Sequence, residues 1–259
     1  MTDALPSRAA FDAQWAALRA WIVALPPGAE ELPSALDGWT VGDLVAHLGR
    51  AVDLLARAGA AEPGAEPLSI GAYVSAYPGV APMIAQGTRE LSRATADDRL
   101  AAVDASFAVA ASAIDGFGGE GRRVVQATRG PIRADDLVKT RILELVVHAD
   151  DLARSLPDLP PPAHDDGALR IVVKLLLDAL AQRAPGRTVE VRVPPYAVVQ
   201  CVEGASHTRG TPPNVVETDG LSWIRVACGR VAWTDLVESG ALHASGIHAN
   251  DVAEHLPLL

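Results

Sequence analysis

The amino-acid sequence predicts an α+β protein in which a four-helix bundle precedes a small mixed domain. In the first 156 residues, apolar side chains recur at three- and four-residue intervals, which is typical of amphipathic helices. After residue 186, short runs of alternating apolar and polar residues lie between prolines and glycines and predict strands. Hydrophobic residues make up 49% of the 259 residues and aromatic residues only 4%. We therefore expect a core of small aliphatic side chains.

The first part of the chain predicts four helical segments. The first ends before a Pro-Pro-Gly sequence, since proline and glycine interrupt helices. The second begins at Thr40, which forms a capping-box pattern with Asp43 three residues later. The third region contains a possible restart at Thr95. The predicted helices cover residues 9–24, 40–58, 82–114 and 134–156.

Residues 157–164 are rich in proline and acidic residues, which indicates a linker. We therefore place a helical domain at residues 1–156 and an α+β domain at residues 165–259. A short extended segment is also predicted in the first domain, at residues 124–128, followed by a turn at Gly130-Pro131. In the second domain, helices are predicted at 165–184, 221–228, 233–238 and 249–255, and strands at 189–193, 197–202, 215–218 and 242–245.

Composition excludes several classes of function. The formal net charge of −10 repels phosphate backbones and anionic lipid surfaces, so we expect neither nucleic-acid nor membrane binding. The N-terminus has no apolar segment of the signal-peptide type, and the longest apolar runs are too short to span a membrane. Cys201 and Cys228 are expected to be free thiols in a reducing compartment. We expect a cytoplasmic monomer or homodimer.

One side-chain pattern predicts a metal site. Glu144 and His148 are four residues apart on the fourth helix, so both side chains lie on one otherwise apolar face. His47 lies on the apolar face of the second helix, and two histidines with one glutamate are a typical ligand set of catalytic zinc. Asp43 and Asp151, each one turn away from a histidine, are candidate hydrogen-bond partners of the imidazoles. Alternatively, these residues form only a side-chain pair or hydrogen-bonded core histidines.

Two stretches of the sequence carry a resemblance to a known family. Residues 38–48 contain the pattern Trp-x-x-x-Asp-Leu-x-x-His-Leu, and residues 141–152 contain Glu and His four residues apart. Together they resemble the mycothiol-dependent maleylpyruvate isomerase family, over about residues 8–156. The resemblance implies a DinB-like four-helix bundle, and it implies that the metal ligands are His47, Glu144 and His148.

The C-terminal part resembles the bacterial variety of the sterol-carrier-protein-like domain. Its unusual loop contains two residues that we consider as ligand contacts, Arg209 and Asn214. The loop is equally consistent with a structural clamp in which Arg209 pairs with Glu217 or Asp219. The stretches that carry the resemblance are residues 207–219, 233–236 and 244–246.

The family resemblance implies a function for the first domain. It implies a divalent metal, most simply zinc, that lowers the pKa of the thiol of mycothiol, and a small electrophile as substrate. In an isomerase the thiolate adds to a cis double bond, and the adduct rotates about the resulting single bond. The thiolate then leaves and the trans isomer is formed. Related proteins transfer the thiol to the electrophile instead. Arg141, one turn before Glu144, is a candidate partner for a substrate carboxylate, although a solvated arginine fits the sequence equally well.

A second class of function remains open at the level of sequence. The chain is alternatively a non-catalytic binding protein with a structural or vestigial metal site. In that case the C-terminal domain holds an acyl chain or another small molecule. This alternative predicts a continuous apolar cavity lined by residues after Val189, whereas the enzyme predicts an open coordination position at the metal.

Overall fold

A computed structural model of the chain describes residues 5–75, 79, 81–118, 122–204 and 213–259. The chain divides into two compact units, Met1–Ala168 and Leu169–Leu259. The first unit is mainly helical and the second combines helices with a sheet, so the predicted α+β class is confirmed. The predicted boundaries at residues 156 and 165 stay predictions.

Five long helices build the first unit. Helix α2 is central, because α4, α5 and α6 all contact it. Gly49 on α2 allows the close approach of α5, since a Cβ atom there would lie only 3.4 Å from the backbone of Val103. The helices are α1 (Arg8–Val23), α2 (Val41–Ala56), α3 (Ile70–Val74), α4 (Ala81–Ala94), α5 (Arg99–Phe117) and α6 (Ala134–Ser155), and a 3-10 helix covers Ala29–Glu31.

The predicted third helical region is two separate helices, α4 and α5. Thr95 ends α4, because its hydroxyl donates to the carbonyl of Leu91 and its own carbonyl accepts from the Asp98 amide. The chain therefore turns between the two helices, as the possible restart at Thr95 predicted.

The capping box predicted for α2 is present. The Thr40 hydroxyl accepts a 3.1 Å hydrogen bond from the Asp43 amide, and the Asp43 carboxylate accepts a 3.0 Å hydrogen bond from the Thr40 amide. These bonds satisfy two backbone donors that a helix otherwise leaves unpaired at its N-terminus. The start of α2 is thereby defined, and with it the position of His47 two turns later.

The first unit also contains a small antiparallel sheet with strand order β1-β2-β3. Strand β2 (Val124–Ala127) corresponds to the predicted extended segment, and its partner β3 (Gly130–Arg133) follows the predicted turn. Strand β1 (Gly59–Ala60) lies between the predicted helices 40–58 and 82–114, where no strand is predicted. Its two residues are too few for a detectable alternation of apolar and polar side chains.

Helix α5 is apolar and long enough, by composition, to cross a membrane, and within the described residues it is the one helix with this property. Its buried positions Val103, Phe107, Ala110 and Ile114 recur every three or four residues and belong to the core. Core helices of soluble proteins have the same composition. The expectation that no segment spans a membrane stays a prediction.

The second unit is a four-stranded sheet with strand order β5-β4-β6-β7 and its accompanying helices. Strand β4 pairs in parallel with β6, and the other neighbours are antiparallel. The observed elements are α7 (Asp166–Arg183, which begins in the first unit), β4 (Val189–Val193), β5 (Ala197–Cys201), β6 (Val215–Thr218), α8 (Gly220–Ala227), α9 (Trp233–Glu238), β7 (Leu242–Ser245) and a final 3-10 helix (Ala249–His255).

One face of this sheet is packed without space for solvent. Val189, Val191 and Val193 alternate along β4 and are completely buried, as are Val216 of β6 and Trp223 of α8. The intervening residues of β4 are partly exposed. Cys201 and Cys228 are not joined in a disulfide, as predicted, and both are buried. Burial raises the pKa of the Cys201 thiol to about 11, so this thiol stays protonated and unreactive at neutral pH.

Candidate metal centre

Helices α2 and α6 bring the three predicted ligands together. Glu144 and His148 face α2 from successive turns of α6, and His47 faces them from the middle of α2. Nearby, the guanidinium of Arg141 donates a 3.1 Å hydrogen bond to the carbonyl of Ala51 and so joins the two helices. The cluster therefore lies on the packed interface of two helices, whose backbone hydrogen bonds hold its geometry.

The donor atoms of the cluster converge on one point. His47 Nε2 lies 3.5 Å from Glu144 Oε2, and His148 Nε2 lies 3.3 Å from the same oxygen. One donor atom from each of the three residues lies within 4.8 Å of the other two. The imidazole rings are 4.7 Å apart and nearly perpendicular, at 86°. Both rings thus turn an edge toward the carboxylate.

The two histidine–glutamate distances agree with the spacing of zinc ligands. A charge-assisted hydrogen bond between a nitrogen and a carboxylate oxygen is about 2.7–2.9 Å long. Two ligands of a tetrahedral zinc ion, each about 2.0–2.1 Å from the metal, lie about 3.3 Å from one another. The observed 3.3 and 3.5 Å match the edges of such a tetrahedron and exceed the length of a good hydrogen bond. Both histidine–glutamate distances are therefore those of neighbouring zinc ligands, and the donor atoms of all three residues lie within 4.8 Å of one another.

Burial and mutual contacts shift the pKa values of all three groups. Burial lowers the pKa of His47, despite its contact with Glu144, so this imidazole is neutral at pH 7. For His148, burial is outweighed by the hydrogen bonds to Asp151 and Glu144, which raise its pKa to about 9. For Glu144, burial opposes ionisation, but the two histidines and the Arg141 charge hold the pKa of the carboxyl well below its usual range. The metal-free cluster is thus a carboxylate between one charged and one neutral imidazole.

The remaining nitrogen of each imidazole has its own partner. His148 Nδ1 lies 3.0 Å from Asp151 Oδ2, as the sequence predicted. His47 Nδ1 lies 3.2 Å from the hydroxyl of Thr88, a fully buried residue of α4. Because both Nδ1 atoms have these partners, both Nε2 atoms point toward Glu144 Oε2. Such partners fix the ring orientation of metal-ligating histidines.

Asp43 does not have the predicted role beside His47. Its carboxylate accepts from the Thr40 amide in the capping box instead. The reason is geometric, because a helical side chain at this third position points back toward the N-terminus of α2. Thr88 takes the predicted place of Asp43. The sequence around Thr88 contains no signal for this role, since the contact depends on how α4 packs against α2.

The structure places Arg141 inside the helix interface. Its side chain is 2% exposed, with Nε donating to Thr140 Oγ1 and Nη1 donating to the Ala51 carbonyl. Its Nη2 lies 3.9 Å from Glu144 Oε1. Because its guanidinium is buried and engaged by protein groups, Arg141 does not fit the predicted contact with a substrate carboxylate. Its contacts fit a residue that positions Glu144.

Asn214 is also held by protein contacts. Its amide nitrogen donates to the Thr188 carbonyl at 2.9 Å, and its side-chain oxygen accepts from the His248 amide at 3.1 Å. Both side-chain groups of this buried residue are therefore engaged in joining loops of the second unit, which favours the structural role over ligand binding. Arg209, together with its proposed pairing to Glu217 or Asp219, lies outside the described residues.

Trp39 is a further neighbour of the cluster. Its ring contacts the His47 ring edge-on, with the centroids 5.3 Å apart. The contact closes one side of the imidazole. The short spacing between Trp39 and His47 in the family motif was the available signal for this contact.

Comparisons with known protein families match both parts of the chain. The family model described as the mycothiol maleylpyruvate isomerase N-terminal domain matches residues 11–153. The model described as the bacterial SCP ortholog, where SCP denotes sterol carrier protein, matches residues 165–258. Comparison with curated protein sequences finds no match.

Two similar crystal structures are those of the mycothiol-dependent maleylpyruvate isomerase and of its histidine-to-alanine mutant. Each is 17% identical to this chain, and each alignment covers 92% of this chain and 91% of the other. The TM-scores are 0.57 for the isomerase and 0.60 for the mutant. At this identity the likeness shows a common fold.

The first family model covers more than half of the chain, including all three residues of the cluster. The resemblance inferred from the two sequence motifs is thus confirmed. The chain belongs to the mycothiol maleylpyruvate isomerase family, and it carries a C-terminal domain of the bacterial sterol-carrier type.

Proposed function

We propose that this protein is a metal-dependent enzyme that uses mycothiol to isomerise a small electrophile or to transfer the thiol to it. His47, Glu144 and His148 would hold the metal. The observation that carries the proposal is the convergence of two imidazole nitrogens and one carboxylate oxygen at the spacing of zinc ligands. Two imidazoles in the set favour zinc over magnesium or calcium, which prefer oxygen ligands.

Three protein ligands leave one position of a tetrahedral ion for a further ligand, which is typical of catalytic zinc. When bound there, zinc lowers the pKa of a coordinated thiol and makes a thiolate available at neutral pH. The family to which the chain belongs uses mycothiol, so mycothiol is the thiol that we propose. The chain itself contributes no reactive cysteine to this site, because the two cysteines are buried in the second unit.

The surrounding residues hold the ligands in place. Asp151 and Thr88 fix the two imidazole rings through their Nδ1 atoms, and Arg141 holds the charge of Glu144. The carboxylate of Asp151 is fully buried, and Arg154 lies 3.7 Å from its second oxygen. Each ligand therefore has a partner that restricts its rotation, which lowers the reorganisation needed for metal binding.

The alternative of an acyl-chain binding protein is less well supported. It requires an apolar cavity lined by residues after Val189. The inward side chains of β4 are instead completely buried, and so is Trp223. These side chains fill the space between the sheet and the helices, so they do not line a cavity.

The proposal is tested by the metal content of the purified protein. Wild-type protein, prepared without chelators, is expected to contain close to one zinc ion per chain, and His148→Ala is expected to lose it. His248→Ala is the matched control, because His248 also contacts an aspartate three residues later but is exposed on the second unit. We expect this control to retain its metal.

A second measurement tests the reaction. The zinc-loaded wild type should consume a cis-alkene electrophile only in the presence of mycothiol, and His148→Ala should not. Absence of metal from the wild type even after addition of zinc would contradict the proposal. Equal turnover by the metal-free and metal-loaded proteins would contradict it as well. We further propose a cytoplasmic location, which the pair of free, buried cysteines supports.

A further inference from the structure

We draw no further inference here: the strongest candidate, the cavity of the first unit that Arg89 and Arg93 line together with Glu31, carries none, because cationic and anionic side chains oppose each other in its walls and nothing in the structure shows which ligand it would take.

Discussion

The affinity of the site for zinc should depend steeply on pH because of His148. Contacts with Asp151 and Glu144 raise the pKa of His148 to about 9, so its imidazole is protonated at pH 7 in the metal-free protein. A histidine must be neutral to bind a metal, and zinc binding at pH 7 therefore has to displace a proton. His47 needs no such step, because burial lowers its pKa below the ordinary value of 6.5.

The size of the effect follows from the distance between pH 7 and the pKa. Two pH units correspond to about 3 kcal/mol, so proton competition weakens zinc binding at pH 7 by about 100-fold relative to the plateau above the pKa. The apparent affinity should rise about tenfold between pH 7 and pH 8, and about 50-fold between pH 7 and pH 9. Above pH 9 the curve should level off.

The assay combines chelator competition with calorimetry. Competition with a chelator of known affinity at pH 7, 8 and 9 gives the slope of the apparent affinity. Titration in two buffers with different ionisation enthalpies gives the number of protons released, which should be close to one per zinc ion at pH 7. The His248→Ala variant should behave like the wild type, since His248 is remote from the cluster in sequence and belongs to the second unit. A zinc affinity independent of pH, or binding without proton release, would refute the assignment of His148 as a charged residue that becomes a ligand.

Three other outcomes follow from individual contacts. Thr88→Val should lower zinc affinity about tenfold while Thr88→Ser restores it, because partners of metal-ligating histidines typically contribute this much; equal affinities of the two variants by chelator competition would argue against an orienting role. Thr40→Ala should lower the free energy of unfolding by about 1 kcal/mol in urea titrations and leave the zinc content unchanged, since it removes the capping hydrogen bond of α2. Finally, the metal-free protein should lose about 3 kcal/mol of stability as the pH rises from 6.5 to 9. The raised pKa of His148 stabilises the folded state fully below 6.5, and deprotonation through about 9 removes that contribution; His148→Gln should abolish this part of the pH dependence.

Local sequence signals were sufficient for the elements that repeat a pattern over several turns. The spacing of apolar residues predicted α1, α2 and α6 to within about two residues, and the Thr40–Asp43 pattern predicted a capping box that the structure contains. Alternation of apolar and polar residues similarly predicted the strands of the second unit. These features depend on residues close together in the chain, and for that reason they are visible without a tertiary structure.

The ligand cluster was partly predictable for the same reason. Glu144 and His148 share a helix face because of their four-residue spacing, which no folding step alters. Their convergence with His47, which is about a hundred residues away, was inferred from family motifs, and the structure supplies the distances.

The partners of these residues were decided by tertiary packing. Thr88 reaches His47 because α4 packs against α2, whereas Asp43, although nearer in sequence, turns back to cap its own helix. The position of the Arg50 guanidinium against Gly87 of α4 depends on the same packing. The sequence by itself determined the helices and the type of metal ligand, since these follow from local spacing and side-chain chemistry. Only the tertiary structure decided which polar groups are buried together, because that depends on contacts between segments far apart in the chain.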